Sequence, residues 1–206
     1  MLDGLDAVGW SSLTHAYGEA TDVPELLRAL ASPDPQEREE ASDELLGNIW
    51  HQGTVYPASA AAVPFLYELL TAPEVQDKSA IALLLACVAT GAGYLEVHAA
   101  GPVDEPVWRD ILSKQGKTLE RELEREAAEV GNVRRAASVG LRHLLPYLND
   151  PDEEVRQVVA TALGRYPEHA GWAQPAIEAA LASERDEDVR AALIQSQSHR
   201  PGAAHD

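Results

Sequence analysis

The chain repeats itself, and that limits its possible folds more than any single motif does. Val23-Pro24-Glu-Leu26-Leu27-Arg-Ala-Leu30-Ala-Ser-Pro33-Asp34-Pro-Gln-Glu-Arg38 is followed, 40 residues on, by Val63-Pro64-Phe-Leu66-Tyr67-Glu-Leu-Leu70-Thr-Ala-Pro73-Glu74-Val-Gln-Asp-Lys78. Proline aligns with proline, leucine with leucine, acid with acid and base with base. A third copy places Leu148, Pro151, Asp152 and Arg156 at the relative positions of Leu30, Pro33, Asp34 and Arg38, and a fourth runs from Ala176 to Arg190. Sequence copies at this period signal units that stack on one another.

Each copy reads as a helical hairpin. A first helix carries leucines at helical spacing, and a Pro/Asp turn stops it. The Asp is placed to accept hydrogen bonds from the free N–H groups that open the second helix. That helix keeps small and apolar residues on one face: Ala41, Leu45 and Ile49 in the first copy, Val159 and Leu163 in the third. The Arg one turn beyond the Asp can bridge to the acidic turn of a neighbouring copy. A lone hairpin cannot bury its apolar face, so the copies must stack.

The stretch Leu144-Leu-Pro-Tyr-Leu-Asn-Asp150-Pro-Asp-Glu-Glu-Val155-Arg156-Gln-Val-Val-Ala-Thr-Ala-Leu-Gly164 resembles the HEAT and HEAT-like repeat family, and the likeness covers about two thirds of the chain. The first two copies depart from it, since Val precedes neither Arg38 nor Lys78. A second likeness, carried by Ala16-Tyr17-Gly18-Glu19-Ala20 and His51-Gln52-Gly53-Thr54-Val55-Tyr56-Pro57, is to small bacterial HEAT-repeat proteins; it implies a fold and no activity. The expected fold is all-α, a right-handed α-solenoid of about five helical hairpins. One repeat domain spans 1–198. It has an N-terminal cap over 1–22, with a cap helix at Trp10–Gly18, and repeats at 23–50, 63–92, 106–131, 133–166 and 172–197. The tail 199–206 is expected to be disordered. Residues 91–106 read as a loop. Pro106–Val130 reads as a degenerate repeat with Trp108, Ile111, Leu112, Leu119, Leu123, Ala127 and Val130 as its buried stripe, or else as one long helix bracing the array; Gly131-Asn132 is expected to end it.

Composition agrees with this class. Hydrophobic residues make up 45% of the chain but aromatics only 5%, so the core must be built from Ala, Leu and Val, which suits helices. The net charge of −18, from 34 acidic and 16 basic residues, argues against nucleic-acid and anionic-membrane binding and favours a basic protein partner. The charge is uneven: residues 1–50 hold eleven acids against two arginines, and residues 106–149 hold eight bases against six acids. The single cysteine, Cys87, lies in an apolar helix and reads as a buried hydrophobe. With no basic start typical of a secretory signal, the expected location is the cytoplasm.

No metal, P-loop, nucleophile-elbow or dinucleotide pattern is present, so no cofactor, metal or catalytic residue is expected. One stretch asks for explanation: Asn48-Ile49-Trp50-His51-Gln52-Gly53-Thr54-Val55-Tyr56-Pro57. A plain linker needs none of its aromatic and polar residues. Gly53 is expected to end the preceding helix with a positive φ, and Pro57 to hold Tyr56 extended. Gln52–Tyr56 then forms an ordered, partly extended joint with Trp50 packed between hairpins. The candidate binding residues are His51, Gln52, Tyr56 and Asn48, the acidic Glu44 and Glu40, and His15, Tyr17, Tyr94 and His98. The leading expectation is a protein-interaction module, in one specific version an inhibitor or immunity-type protein, binding a basic partner through the second helices of its hairpins. The alternative is an enzyme or small-molecule binder, as the phycobilin-lyase relatives of the family imply, with its site at the His51–Tyr56 corner. A base-repair reading, implied by the HEAT-like glycosylases, is weakened by the charge.

Overall fold

The structure, a computed structural model, describes residues 1–99 and 101–197. Ten α-helices dominate the described residues, with two short hairpins as the strand content. The expected tail 199–206 lies outside the described residues.

Four helix pairs form the array: α1 (Val23–Ala29) with α2 (Pro35–Asn48), α3 (Pro57–Thr71) with α4 (Lys78–Thr90), α7 (Leu119–Gly140) with α8 (Glu153–Gly164), and α9 (Ala170–Ser183) with α10 (Glu187–Gln197). A 3₁₀ segment, Leu141–Asn149, extends α7. The second helices α2, α4, α8 and α10 pack in sequence as one layer; α1, α3, α7 with its extension, and α9 make the other. Ala41, Leu45, Ile49, Val159 and Leu163 are buried between them.

The turns behave as their residues dictate. Asp34 accepts from Gln36 N at 2.9 Å, Asp152 from Glu154 N at 2.8 Å, and Asp186 from Val189 N at 3.0 Å, each capping a second helix. The repeat arginine clamps the turn behind it. Arg38 Nη1 donates to Ser32 O at 2.8 Å, Arg156 Nη1 to Asp150 O at 2.9 Å, and Arg190 Nη1 to Glu184 O at 2.9 Å. Two of these arginines also reach the next copy, Arg38 to Asp77 and Arg156 to Glu184. Ser79 Oγ donates to Asp150 Oδ2 at 2.6 Å, so polar links run along the whole turn edge.

Three local expectations are corrected. Trp10–Gly18 is not a helix. It is a 3₁₀ turn at Trp10–Ser12 followed by a hairpin of β1 (Thr14–His15) and β2 (Gly18–Glu19), which pair antiparallel. Gly18, at φ 132°, supplies a turn conformation closed to other residues, and Trp10 Nε1 is tied to Leu5 O at 2.9 Å. Gly131-Asn132 does not end a helix: α7 continues through both to Gly140. Val133 and Ala137 are buried, and Tyr67 Oη on α3 donates to Ala137 O at 2.7 Å. That packing outweighs the cost of about 1 kcal/mol for a helical glycine. The break falls earlier, at Gly116 (φ 71°), between α6 (Asp104–Lys114) and α7.

The region 91–131 is therefore neither a plain loop and repeat nor one bracing helix. A short α5 (Tyr94–His98), α6 and the start of α7 enclose a separate small core of Leu95, Ala99, Leu112 and Leu119, with Trp108 and Leu123 packed against it. Ala127, expected in the buried stripe, is exposed because α7 turns that face away from both cores.

Candidate functional site

The stretch after α2 folds into a hairpin. β3 (Trp50–His51) pairs antiparallel with β4 (Thr54–Val55), Trp50 opposite Val55 and His51 opposite Thr54. Gln52 (φ 50°) and Gly53 (φ 89°) are the two turn residues, both left-handed, as a type I′ hairpin requires. Gly53 thus turns the hairpin and does not end the helix; α2 ends at Asn48. Ala92 adds to the outer strand: its N–H donates to Gly53 O at 2.9 Å, and its carbonyl accepts from Val55 N at 3.0 Å. The joint is fixed by the chain leaving α4.

Tyr56 leads into α3 with extended backbone, φ −132° and ψ 169°, as the residue before Pro57. Its N–H donates to Ser59 Oγ at 2.8 Å. Thr54 Oγ1 donates to His51 O at 2.7 Å, so the Tyr56 hydroxyl, 2.8 Å from Thr54 Oγ1, is the donor in that contact. The Tyr56 hydroxyl is thus turned inward onto the hairpin.

The N-terminal hairpin meets this one. The Tyr17 and His51 rings stand edge to face at 5.4 Å, with Tyr17 Oη 3.4 Å from His51 Nδ1. His51 Nδ1 lies 3.2 Å from Gly47 O, and a carbonyl only accepts, so Nδ1 carries the proton. His15 is buried. Its Nδ1 accepts from Tyr17 N at 3.0 Å, so Nε2 carries the proton and donates to Asp22 Oδ1 at 2.9 Å. Asn48 Nδ2 donates to the other oxygen of Asp22 at 2.7 Å, and Asn48 O accepts from Ala16 N at 3.0 Å. His15 and Asn48 are thus the struts that lock the cap to the end of α2. The sequence reading missed Asp22, which joins them; its place just before α1 was the available signal.

Of the remaining candidates, Tyr94 and His98 make their ring contacts elsewhere, with each other at 4.3 Å and between Tyr94 and Trp108 at 5.6 Å. Trp108 Nε1 donates to His98 O at 3.0 Å, so both belong to the small side core. Glu40 and Glu44 are exposed on α2, and Glu40 accepts from Gln36 at 2.8 Å.

Two open clefts share one wall of α2. The larger, about 490 Å³, lies between α2 and the start of α4 and is lined by Arg38, Glu39, Ser42, Asp43, Asp77 and Ser79 among others. The smaller, about 290 Å³, lies against the hairpin and is lined by Asp43, Leu46, Gly47, Trp50, His51 and Gln52. Asp43 belongs to both, so they form one groove along α2. Arg38, the only base on α2, is buried and occupied by Asp77 and two turn carbonyls. Glu39 and Asp43 have no ion-pair partner among the described residues. The acids of α2 that line the groove are therefore Glu39 and Asp43, one helical position before Glu40 and Glu44, while the third lining acid, Asp77, is paired with Arg38. The buried Arg38 marks which face turns toward the next copy.

Among the described residues, no group of three or more His, Cys, Asp or Glu side chains is placed to hold a metal ion. No helix among them is long and apolar enough to cross a membrane.

Stacked helix pairs with an open polar groove along a second helix define a solenoid-like, all-α repeat protein. Residues 110–197 match the model of a family described as HEAT repeats. No curated protein matches the chain. Among solved structures, an engineered protein is similar over 87% of this chain and 79% of its own, at 24% identity and a TM-score of 0.37, a likeness too loose to argue from.

Proposed function

We propose that this chain is a non-catalytic scaffold that holds a basic segment of a protein partner in the α2 groove. HEAT repeats are a protein-interaction kind of module, and the groove gives that role a chemistry. The observation that carries the reading is the fate of Arg38: the only cation on α2 is buried and committed, which leaves Glu39 and Asp43 facing the groove uncompensated. A lysine or arginine side chain supplies the missing charge. His51, Gln52 and Trp50 close one end of the groove and offer polar and flat apolar contacts beyond the acids. The net charge of −18 steers a basic partner toward the chain at long range and speeds its association. The proposed setting is the cytoplasm, where the lone thiol of Cys87 stays reduced.

The test is capture from a native lysate at low salt with two baits, the wild-type chain and the Glu39→Lys/Asp43→Lys variant. A basic protein retained by wild type, released by a salt gradient and absent from the variant supports the reading. Equal retention by both baits, or binding indifferent to salt, sinks it.

A further inference from the structure

A different face carries a second site. In a chain with 34 acidic residues, residues 130–149 contain no Asp or Glu and three arginines, Arg134, Arg135 and Arg142. Two of these sit on one exposed turn of α7 beside a cleft of about 350 Å³ lined by Gly131, Arg134, Arg135, Ser138 and Glu168. Arg125, farther up the same helix, is neutralised by ion pairs with Glu122 and Glu129. Neither Arg134 nor Arg135 makes an ion pair among the described residues.

Their arrangement is prepared. Arg134 Nη2 donates to Arg165 O at 2.6 Å, and its guanidinium lies 5.1 Å above the ring of Tyr166. Tyr166 is itself buried and anchored to Ala89 O at 3.0 Å. The Arg134 fork is thus held in place by a carbonyl and an aromatic face, neither of which cancels its charge. Arg135 Nη2 donates to Asn132 Oδ1 at 2.5 Å, a neutral acceptor, and keeps its remaining donors. His169 Nε2 lies 2.8 Å from Ser138 Oγ and 3.2 Å from Ser138 O. The carbonyl requires a proton on Nε2, which the hydroxyl oxygen then shares as acceptor. The Ser138 O–H hydrogen is left to donate into the cleft. Glu168 is the one carboxylate on the rim.

We infer that Arg134, Arg135 and Ser138 form a binding site for a phosphate monoester dianion. The set supplies two guanidinium forks and a hydroxyl donor to one small volume, which matches a group with three terminal oxygens and close to two negative charges. A phosphodiester fits worse. It offers fewer free oxygens and half the charge, and a polyanionic strand must approach a chain of net charge −18. This site is independent of the α2 groove, so each proposal can fail alone.

The experiment is calorimetric titration of the full chain with inorganic phosphate, with O-phosphoserine and with a short single-stranded oligonucleotide lacking terminal phosphates, repeated on Arg135→Gln. That variant loses only the bond to Asn132 and leaves the Arg134–Tyr166 stack intact, and an unchanged melting temperature without ligand confirms its fold. The expected result is saturable binding of a monoester, weakened about tenfold in Arg135→Gln, as loss of one charge-assisted contact implies. Tighter binding of O-phosphoserine than of inorganic phosphate identifies a phosphorylated side chain as the source; the reverse identifies a free phosphate. No saturable binding of either inorganic phosphate or O-phosphoserine, binding unchanged in Arg135→Gln, or preference for the oligonucleotide overturns the assignment.

Discussion

Arg156 grips Glu184 across the boundary between the third and fourth helix pairs, Nε to Oε2 at 2.7 Å and Nη2 to Oε1 at 3.2 Å. The same carboxylate accepts from Arg185 N at 2.8 Å and Asp186 N at 3.0 Å. The hydrogen bond from Arg156, reinforced by those backbone donors, holds the Glu184 carboxyl down to about 2 from its ordinary 4.5. A group whose folded value is depressed stabilises the fold fully above its ordinary value, and the contribution disappears as pH falls through the folded one. Glu184→Gln should therefore destabilise the chain by about 1–2 kcal/mol at pH 7, allowing for solvent screening at this partly exposed pair. The gap to wild type should close between pH 4.5 and about 2. Urea unfolding across that window measures it, and a gap constant with pH contradicts the account.

Gly91 has no room for a side chain. A Cβ there would stand 2.3 Å from Val55 Cγ1 on the β3–β4 hairpin, although the glycine's own φ of −64° suits any residue. Gly91→Ala should thus destabilise by steric conflict alone, by about 1–3 kcal/mol. Adding Val55→Ala removes the obstructing methyls, so the double variant should lose less than the two single effects summed. A double-mutant cycle by denaturant unfolding reads this directly, and strict additivity would show that the two residues do not meet.

The sequence makes the repeats legible because each helix pair obeys local rules. The Pro/Asp turns, the capping carboxylates of Asp34 and Asp152 and the apolar faces all follow from residue type and spacing. What it does not reveal depends on tertiary contact. Gly131 looks like a helix end until α3 supplies Tyr67 as a partner for Ala137 O. Trp10–Gly18 is long enough for a helix, yet Gly18 at φ 132° commits it to a hairpin. The cluster of candidate site residues divides for the same reason. His15, Tyr17, Asn48 and His51 meet because two hairpins dock at the end of α2, while Tyr94 and His98 fold into a side core around Trp108. Glu39 and Asp43 were hidden among many acids; only the burial of Arg38 shows which acidic face the groove takes.

His15 and His51 should carry their neutral protons on opposite nitrogens. His15 Nδ1 accepts from Tyr17 N at 3.0 Å, which places its proton on Nε2; His51 Nδ1 faces Gly47 O at 3.2 Å, which places its proton on Nδ1. Long-range nitrogen–proton NMR at alkaline pH, where imidazoles are neutral, distinguishes the two forms. Asp22→Ala should destabilise the chain by about 1–3 kcal/mol, since it strands two donors, His15 Nε2–H and Asn48 Nδ2. The same spectra should then show His15 released from its single tautomer. A His15 spectrum untouched by Asp22→Ala would break the proposed lock.

Cys87 should report on the opening of α4. The thiol is buried among apolar neighbours, and that burial, with a smaller contribution from the Glu154 charge, pushes it up to about 12. At pH 8 only about one thiol in ten thousand is then ionised in the folded state, and the thiolate is the reactive form. An aromatic disulfide reagent should label the native chain far more slowly than it labels free cysteine, and the rate should climb with urea as the helix pair opens. Gly91→Ala strains the hairpin against the end of the same helix, so labelling should accelerate in that variant even without urea. Rapid native labelling at the rate of free cysteine would mean that α4 does not shield the thiol, and equal rates in wild type and Gly91→Ala would mean that the hairpin does not hold α4 closed.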